Sequence, residues 1–353
     1  MSNDERSSNA VCQPVRFPAP ETSGLVSVVI PAHRAERYIG TTLESVGKQT
    51  HADWELIVVE DGSSGPTEAI VAGFARRVAP RRVVFVRHDS SLGPAAARNT
   101  GMRLARGEFV AWLDADDRWL PGHLSTSLAR LRSSGAEIAY STVVMMADGS
   151  DVPLGLWGPT PAELAAFPQS LFDRSFVVPS ATVMRRRVLE AVGSWNESPA
   201  VMFCEDFEYW LRGAAEGRSF VHVEGIHCLY RKNHIGAATR KLSMILTRVA
   251  QTAERFLSTD IPGVARRRRR RQVAALFALA ARLHADPRHR EHDPSADPRQ
   301  AAWLAYRGWQ LSPRRLRRLL TAGWYAVRFG VAWPPRTAST VDGRGAETLR
   351  RAA

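Results

Sequence analysis

The first third of the chain alternates four apolar, β-branched runs with stretches of helical periodicity. The runs cover residues 25–30, 54–59, 82–87 and 108–113. Each has the length of a buried strand. Helices are predicted between them at residues 36–49, 67–78 and 93–106. Short connections between alternating strands and helices are typical of parallel β-α-β units. The sequence therefore predicts an α/β fold with a Rossmann-like, mostly parallel sheet and flanking helices.

Polar residues follow three of these predicted strands, at residues 31–36, 60–64 and 114–117. Ligands bind beyond the carboxyl ends of strands in such sheets, so the three clusters are expected on one rim. The last cluster holds Asp114, Asp116 and Asp117. Crowded like charges do not help folding, whereas Mg2+ or Mn2+ takes oxygen ligands and cancels their repulsion. An isolated Asp-x-Asp is also compatible with a solvated acidic turn, but its place on this rim favours a metal site.

The rest of the chain is predicted to divide by composition. Residues 1–24 are rich in Ser, Asn and Pro and indicate a flexible leader, and residues 25–236 form the α/β domain. Within that domain, the Pro- and Gly-rich residues 148–180 are predicted to be an irregular, mobile connection. A helical, Arg-rich region follows at 237–334, with a linker predicted at 285–299 and a disordered tail at 335–353.

The net charge of +13 is concentrated in the C-terminal region, where residues 266–271 are all arginine. A solvated helix face is one explanation. Tryptophan and leucine accompany arginine up to residue 329, which is typical of a helix at a membrane interface, so an anionic membrane surface is a predicted partner of residues 264–329. Helices packing on the α/β domain would show the same periodicity. Nucleic acid is disfavoured as a partner because no recognition motif accompanies the charge.

The cysteine pattern and the hydropathy of the chain predict where it resides. The chain has three cysteines, Cys12, Cys204 and Cys228. They lack the spacing of metal ligands and are not an even number that could all pair in disulfides, which indicates a reducing compartment. The N-terminus lacks an apolar core, so a secretory signal is not expected. No run of about 18 apolar residues occurs. The predicted location is the cytoplasm, with peripheral attachment to the inner face of the membrane.

Five stretches of the α/β region together resemble glycosyltransferase family 2, the inverting GT-A group that uses nucleotide-sugar donors. They are Val28-Val-Ile-Pro-Ala-His-Arg-Ala-Glu-Arg-Tyr-Ile, Asp53-Trp-Glu-Leu-Ile-Val-Val-Glu-Asp-Gly-Ser-Ser, Gly93-Pro-Ala-Ala-Ala-Arg-Asn-Thr-Gly, Ala105-Arg-Gly-Glu-Phe-Val-Ala-Trp-Leu-Asp-Ala-Asp-Asp and Cys204-Glu-Asp-Phe-Glu-Tyr-Trp-Leu-Arg. The resemblance covers about residues 25–235. The chain departs from the family at His33-Arg34, where Tyr-Asn is usual, and at Glu60, which is often Asp.

The resemblance implies roles for particular residues. The donor would be held by Pro31, His33, Glu36, Asp61, Arg98 and Asp114. In that set Asp61 would take the edge of the nucleobase, Asp114 the ribose or the shell of the metal, and Arg98 would brace the acidic turn or approach the diphosphate. Asp116, with Asp114, would ligate the metal, and Tyr230–Lys232 would approach the diphosphate.

The catalytic base is expected at the Glu205–Asp206 pair, where Asp206 matches the family's base. Spacing alone does not decide between the two carboxylates. Each site also has a structural explanation, because an acidic helix cap accounts for Asp61 and an acidic first turn accounts for Asp206. Arg98 is equally well explained as an ordinary helix residue that is solvated or ion-paired.

The predicted function is metal-dependent, inverting transfer of a sugar from a nucleoside-diphosphate sugar, of the UDP type, to a hydroxyl of a glycan, lipid-linked or small-molecule acceptor. A nucleotidyltransferase is disfavoured because no Gly-rich, Lys-bearing phosphate loop follows the first strand. The alternative outside enzymes is a catalytically silent scaffold that binds membrane or nucleic acid through its basic C-terminal region.

Overall fold

The computed structural model describes residues 22–150, 152–232 and 241–335. The described residues form two compact units, the first containing 22–232 with 259–264, and the second 241–258 with 265–335. The sequence alone assigns 259–264 to the C-terminal region. The structure groups this segment with the first unit, where Ile261 and Val264 are buried.

The first unit is built on one sheet that contains nine strands among the described residues. They are β1 (Thr22–Ala32), β2 (Trp54–Glu60), β3 (Val83–Arg87), β4 (Gly107–Trp112), β5 (Arg118–Trp119), β6 (Ile138–Ala147), β7 (Pro153–Trp157), β8 (Thr182–Arg185) and β9 (Phe220–Lys232). Their order is β3-β2-β1-β4-β8-β6-β9-β5, and β7 pairs with β6. The long pairings, β1 with β2 and β4, β2 with β3, and β6 with β9, are parallel. The predicted α/β class with a mostly parallel sheet is confirmed.

Seven helices of the described residues accompany this sheet: α1 (Ile39–Gly47), α2 (Thr67–Val78), α3 (Pro94–Leu104), α4 (His123–Ser134), α5 (Pro161–Ala165), α6 (Arg186–Val192) and α7 (Glu205–Ala215). Strand β2 is buried along its whole length, as a central strand covered on both faces must be. Helix α3 approaches β1 so closely that a Cβ at Gly101 would lie 2.3 Å from Val29 Cγ1. This contact explains why glycine stands inside a helix, where it is otherwise unfavourable.

The connection at 148–180 differs from the prediction of an irregular, mobile segment. It contains β7, α5 and two 3-10 turns, Gln169–Phe172 and Pro179–Ala181. Phe176 is fully buried and lies 6.0 Å from the ring of Tyr140. Sequence periodicity does not reveal that this segment is packed, because irregularly spaced aromatic side chains anchor it to the core. They do not form one regular apolar face.

The second unit consists of α8 (Leu242–Arg255), α9 (Arg266–Ala285), α10 (Pro287–Arg290), α11 (Pro298–Leu311) and α12 (Leu316–Phe329). The arginine run opens α9, and its members are exposed except Arg269, whose Nη1 donates to the Phe256 carbonyl at 2.8 Å. The linker predicted at 285–299 is ordered, because Asp293 is buried and accepts from the Ser243 amide at 2.6 Å. None of the helices in the described ranges has the length and apolarity needed to cross a membrane.

Candidate active site

The carboxyl ends of β1, β2 and β4 lie side by side at one edge of the sheet, because these strands are parallel neighbours. The loops that leave them are joined by backbone hydrogen bonds. The Asp61 amide donates to the Ala32 carbonyl at 2.7 Å, and the Leu113 amide donates to the Val29 carbonyl at 3.1 Å. The three predicted polar clusters therefore share one rim.

Asp61 is buried on this rim, and both of its carboxylate oxygens have partners in the segment 88–93. Oδ1 lies 2.8 Å from His88 Nδ1 and accepts from the Leu92 amide at 2.9 Å. Oδ2 accepts from the Ser91 hydroxyl and from the Gly93 amide, each at 2.8 Å. This carboxylate fixes the loop before α3. Its contact with a nucleobase stays a prediction, and such a contact would have to share an oxygen with these donors.

The other residues predicted to line the base pocket lie beside Asp61. His33 is exposed, and its Nδ1 lies 2.6 Å from the Asp61 carbonyl. Glu36 is also exposed, and its Oε2 lies 3.1 Å from the position a Cβ would take at Gly65. Pro31 is half-buried at the end of β1. These three side chains border the rim and are accessible to a ligand, and their roles in donor binding remain predictions.

Polar side chains of α1, together with Gln49 just beyond the end of that helix, hydrogen-bond to the backbone in and after the acidic turn that follows β4. Thr42 Oγ1 donates to the carbonyls of Ala115 and Asp117, each at 2.8 Å. Ser45 Oγ accepts from the Trp119 amide at 3.1 Å, and Gln49 Nε2 donates to the Leu120 carbonyl at 2.9 Å. Buried polar groups need partners of this kind, and these partners fix the path of the turn.

Two carboxylates of the turn, Asp114 and Asp117, lie where their charged forms are disfavoured. Burial raises the pKa of Asp117 well above its usual range, and the charges of Asp116 and Asp114 raise it further. Burial also raises the pKa of Asp114, although Arg98 opposes the shift. Asp117 Oδ1 accepts from the Arg231 amide at 2.8 Å, and the nearby Ser180 side chain opposes the rise in the pKa of Asp117. Its buried Oδ2 has no partner within hydrogen-bond geometry among the residues that the structure describes. Asp116 is half-buried, and its carbonyl accepts from Arg231 Nε at 3.2 Å.

Arg98 links the acidic turn to α7. Its guanidinium donates from Nη2 to Asp114 Oδ1 at 2.8 Å and from Nη1 to Glu205 Oε1 at 3.0 Å. The side chain is buried, and its guanidinium carbon lies 4.8 Å from the centre of the Trp195 ring. Burial alone would lower the pKa of Arg98, but Asp114 and Glu205 raise it above its usual range. Of its two predicted roles, the structure shows the brace between carboxylates.

Glu205 and Asp206 open α7 in two different environments. Glu205 is buried and paired with Arg98. Asp206 is half-buried, and its Oδ1 accepts from the Phe207 amide at 2.7 Å. Burial, followed by the charge of Glu205, raises the pKa of Asp206 to about 7. Such a group changes its protonation near neutral pH, as a general base must.

An aromatic wall behind these groups fixes their positions. Trp195 stacks on Tyr209 with ring centres 4.3 Å apart and meets Trp112 edge-on at 5.1 Å. Asn99 of α3 donates to the Trp195 carbonyl at 2.9 Å and accepts from the Trp195 amide at 2.8 Å. Since Arg98 lies over the same tryptophan, the wall limits the rotamers of the arginine.

The acidic turn fits a divalent cation that shares its coordination with a bound substrate. Among residues 22–150, 152–232 and 241–335, no group of three or more His, Cys, Asp or Glu side chains forms a ready metal cage. Mg2+ is commonly held by one or two carboxylates together with substrate phosphates, so a complete cage is not required. The mutual repulsion of Asp114, Asp116 and Asp117, and the unpartnered Oδ2 of Asp117, indicate a site that a cation would stabilise.

Several residues that shape the site had little or no place in the sequence analysis. Ser180 accepts from the Asp114 amide at 3.0 Å. Lys232 ends β9, and its Nζ lies 4.7 Å from the centre of the Tyr230 ring. Burial lowers the pKa of Lys232, while Asp117 and Asp206 oppose that shift. Thr42, Ser45 and Gln49 had a usable signal, since they recur at helical spacing within the helix predicted at 36–49, although α1 itself ends at Gly47.

Comparison with known proteins gives sequence matches over the first unit. The model of the family described as glycosyl transferase family 2 matches residues 27–193. TuaG of Bacillus subtilis (strain 168), a glycosyltransferase named for teichuronic acid biosynthesis, is 30% identical over 188 residues, which are 53% of this chain and 71% of that protein. WfgD of Escherichia coli, a UDP-Glc:alpha-D-GlcNAc-diphosphoundecaprenol beta-1,3-glucosyltransferase, is 34% identical over 128 residues, which are 36% of this chain and 49% of that protein.

Solved structures share the fold at low sequence identity. S. aureus TarS residues 1–349 in complex with UDP has a TM-score of 0.55 and 17% identity, covering 87% of this chain and 92% of that one. The mannosyltransferase PcManGT from Pyrobaculum calidifontis, in complex with GDP-Man and Mn2+, has a TM-score of 0.51 and 17% identity. The match covers 96% of this chain and 83% of that one.

Proposed function

Since this chain belongs to glycosyltransferase family 2, we propose that it transfers a sugar from a nucleoside-diphosphate sugar to an acceptor hydroxyl, with inversion at the anomeric carbon. The observation that carries this proposal is the arrangement around Arg98. One arginine joins the acidic turn, a site for a donor, to the helix that presents a carboxylate with a pKa of about 7. In this proposal the donor half and the acceptor half of a displacement reaction therefore meet at one place.

Asp206 is the base in this proposal, and Glu205 is a positioning residue. Inversion needs one direct displacement, so a single base must accept the acceptor's proton. The ionised Asp206 carboxylate takes that proton while the acceptor oxygen bonds to the anomeric carbon. The bond from that carbon to the diphosphate oxygen breaks, and nucleoside diphosphate leaves. Glu205 is tied to Arg98, so it is less available for proton transfer but keeps the pKa of Asp206 high.

The acidic turn is assigned to the leaving group. Asp114 and Asp116 would hold a divalent cation, Mn2+ or Mg2+, which when bound supplies Lewis-acid stabilisation of the charge on the leaving diphosphate. Asp114 forms an ion pair with Arg98, which fixes the arginine beside the turn, and Thr42 hydrogen-bonds to the backbone of the turn. Lys232, a partly buried cation near the same carboxylates, is placed to favour an anionic donor.

We propose a UDP-type donor, with contacts from Pro31, His33, Glu36 and Asp61 to its base. UDP or a UDP-sugar is named with both WfgD and TarS, while PcManGT is named with GDP-Man. A glycan or lipid-linked acceptor is proposed because WfgD is named for a diphosphoundecaprenol-linked acceptor, and because several relatives are named for polysaccharide biosynthesis. Work on a lipid-linked acceptor would place the enzyme at the inner face of a membrane, as a peripheral protein.

Calorimetric titration with a panel of nucleotide-sugars, with and without Mn2+, tests the donor half of the proposal. The wild-type protein is expected to bind one donor tightly only when the metal is present. Asp116→Asn is expected to lose that binding. Asp53→Asn is a matched control, because Asp53 is an exposed carboxylate at the opposite end of β2 and should leave binding unchanged.

Release of nucleoside diphosphate in the presence of acceptor glycans tests the catalytic half. Asp206→Asn is expected to bind the donor but to transfer no sugar. A folded wild-type protein that binds no nucleotide at all would refute the transferase proposal. It would leave the scaffold alternative, in which the protein acts only through its basic surface.

A further inference from the structure

Helix α12 carries a row of apolar side chains that point away from its own unit. Leu316, Leu320, Trp324 and Val327 are exposed by 65%, 72%, 56% and 86%. With about 100° of rotation per residue, the four lie within an arc of roughly 80° on the helix surface. The opposite side of the helix packs through Ala322, Tyr325 and Ala326, which are buried. Helix α12 is therefore amphipathic, and its apolar row is exposed. A large apolar patch exposed to water is uncommon on protein surfaces.

The charge around the apolar row has a single sign. Arginine is the only charged residue type between positions 298 and 335. Arg317 and Arg328 are exposed along one edge of the row, and Arg314 and Arg315 are exposed just before the helix begins. The guanidinium of Arg328 lies 5.3 Å from the ring centre of Trp324. Tryptophan and leucine bordered by arginine are the composition of helices that lie in the interface of an anionic bilayer.

A second copy of the chain fits this surface less well than a bilayer does. Pairing two such rows would bring the arginines at their borders together, with no carboxylate in 298–335 to neutralise them. A lipid surface with anionic headgroups accepts the apolar row and the arginines at once, because the acyl boundary and the phosphates lie at adjacent depths.

We propose that α12 is the element by which this protein docks onto an anionic lipid bilayer, with Leu316, Leu320, Trp324 and Val327 inserted at the interface and the neighbouring arginines on the headgroups. Helix α12 carries more exposed large apolar side chains than α8 or α9, where Leu242 and Leu279 are exposed by 38% and 43%. The inference deepens the proposed function by naming the surface at which the enzyme works. Its test needs no sugar transfer.

Sedimentation of the full chain with vesicles tests the docking. Phosphatidylcholine vesicles containing phosphatidylglycerol are compared with vesicles of phosphatidylcholine alone. The wild type is expected to bind the anionic vesicles at least about tenfold more tightly, and added salt should weaken that binding. Leu320→Gln with Val327→Gln should reduce binding to anionic vesicles by at least about tenfold, because the double change removes apolar insertion. Arg317→Gln with Arg328→Gln should reduce the dependence on phosphatidylglycerol and on salt.

A matched pair of substitutions controls for a general loss of surface hydrophobicity. Val152→Gln with Leu154→Gln changes the same residue types at positions exposed by 62% and 50%, in the other unit. This control should bind vesicles within about twofold of the wild type. Donor binding measured without vesicles should be the same in all variants, so failure of docking is distinguishable from failure of the transferase proposal.

Three results would overturn the inference. The first is a wild-type protein that does not bind anionic vesicles, and the second is a control pair that weakens binding as much as the α12 pair. The third is a wild-type dimer, seen by sedimentation equilibrium, that the α12 pair converts to a monomer without changing vesicle binding. That third outcome would identify the row as an interface between copies of the chain.

Discussion

Replacing Glu205 by Gln should move the acid limb of the pH–rate profile to lower pH. The pKa of Asp206 is raised from 3.8 to about 7, by burial first and by the Glu205 charge second. A base with that pKa is about 10% ionised one unit below it, so kcat/KM of the wild type should fall roughly tenfold per unit below pH 7. Glutamine removes the charge of Glu205 but keeps an oxygen that can accept from Arg98.

The size of the shift follows from Coulomb's law. Two carboxylates about 6 Å apart repel by roughly 2–3 kcal/mol at an effective dielectric constant of about 20. Solvent at the half-exposed Asp206 screens part of this, which leaves roughly 1–2 kcal/mol, or about one pH unit. In the variant, the positive charge of Arg98 would no longer be offset by the Glu205 carboxylate, so it would lower the pKa of Asp206 further. Both effects therefore act in the same direction.

The assay is release of nucleoside diphosphate across a range of pH, at saturating metal and with kcat/KM as the measured quantity. Glu208→Gln is the control, because Glu208 lies on the same helix and is buried, with its Oε1 2.8 Å from Arg212 Nε, and it is not among the largest causes of the shift in the pKa of Asp206. The limb of the control should stay in place. A limb that stays in place in Glu205→Gln, or moves to higher pH, would show that the titrating group is not Asp206.

Three further changes test how the site and the fold are built. Asp206→Asn should have a higher Tm than the wild type at pH 8 and an equal Tm near pH 4. The folded-state pKa lies above the ordinary value, so the carboxylate costs stability increasingly from about pH 4 to 7 and fully above that window. Thr42→Val should lower stability by about 1–3 kcal/mol in urea unfolding and raise the metal concentration needed for donor binding, because two carbonyls of the acidic turn lose their donor. Gly101→Ala should cost about 1–3 kcal/mol, and Val29→Ala should recover part of the loss in the double variant, since the new methyl would meet Val29.

Much of the first unit could be predicted because local sequence periodicity indicates its helices and strands. Helix α2 was predicted at 67–78 and has those bounds, since its apolar positions recur at helical spacing. The sequence of strand β9 contains two short apolar stretches, 219–223 and 227–230, which look like separate strands. In the structure β9 is one strand with irregular pairing to β6, and Gly225 lies between the two stretches with a φ of 89°. A glycine inside a strand looks like a break in the sequence but can be a bulge in the sheet.

The contacts that organise the site could not be predicted in the same way. Arg98 and Glu205 are 107 positions apart, and no local pattern indicates which arginine of the chain would pair with α7. The antiparallel strand β8 lies between β4 and β6, and its four residues alone do not indicate that placement. The sequence favours Asp206 over Glu205 only through the family resemblance, and it does not reveal the long-range ion pair that holds Glu205.

The acidic turn stores unfavourable electrostatic energy that ligand binding would release. Asp114 and Asp117 have raised pKa values because burial and their neighbours disfavour their charged forms. A folded chain pays this cost only if the rest of the structure holds the turn, and Thr42 and Arg98 do so from two sides. In the proposed function, a cation and donor that neutralise the turn would bind the folded state preferentially and stabilise it increasingly as their concentration rises. Donor binding and folding stability would then depend on each other through the charge concentrated in the turn.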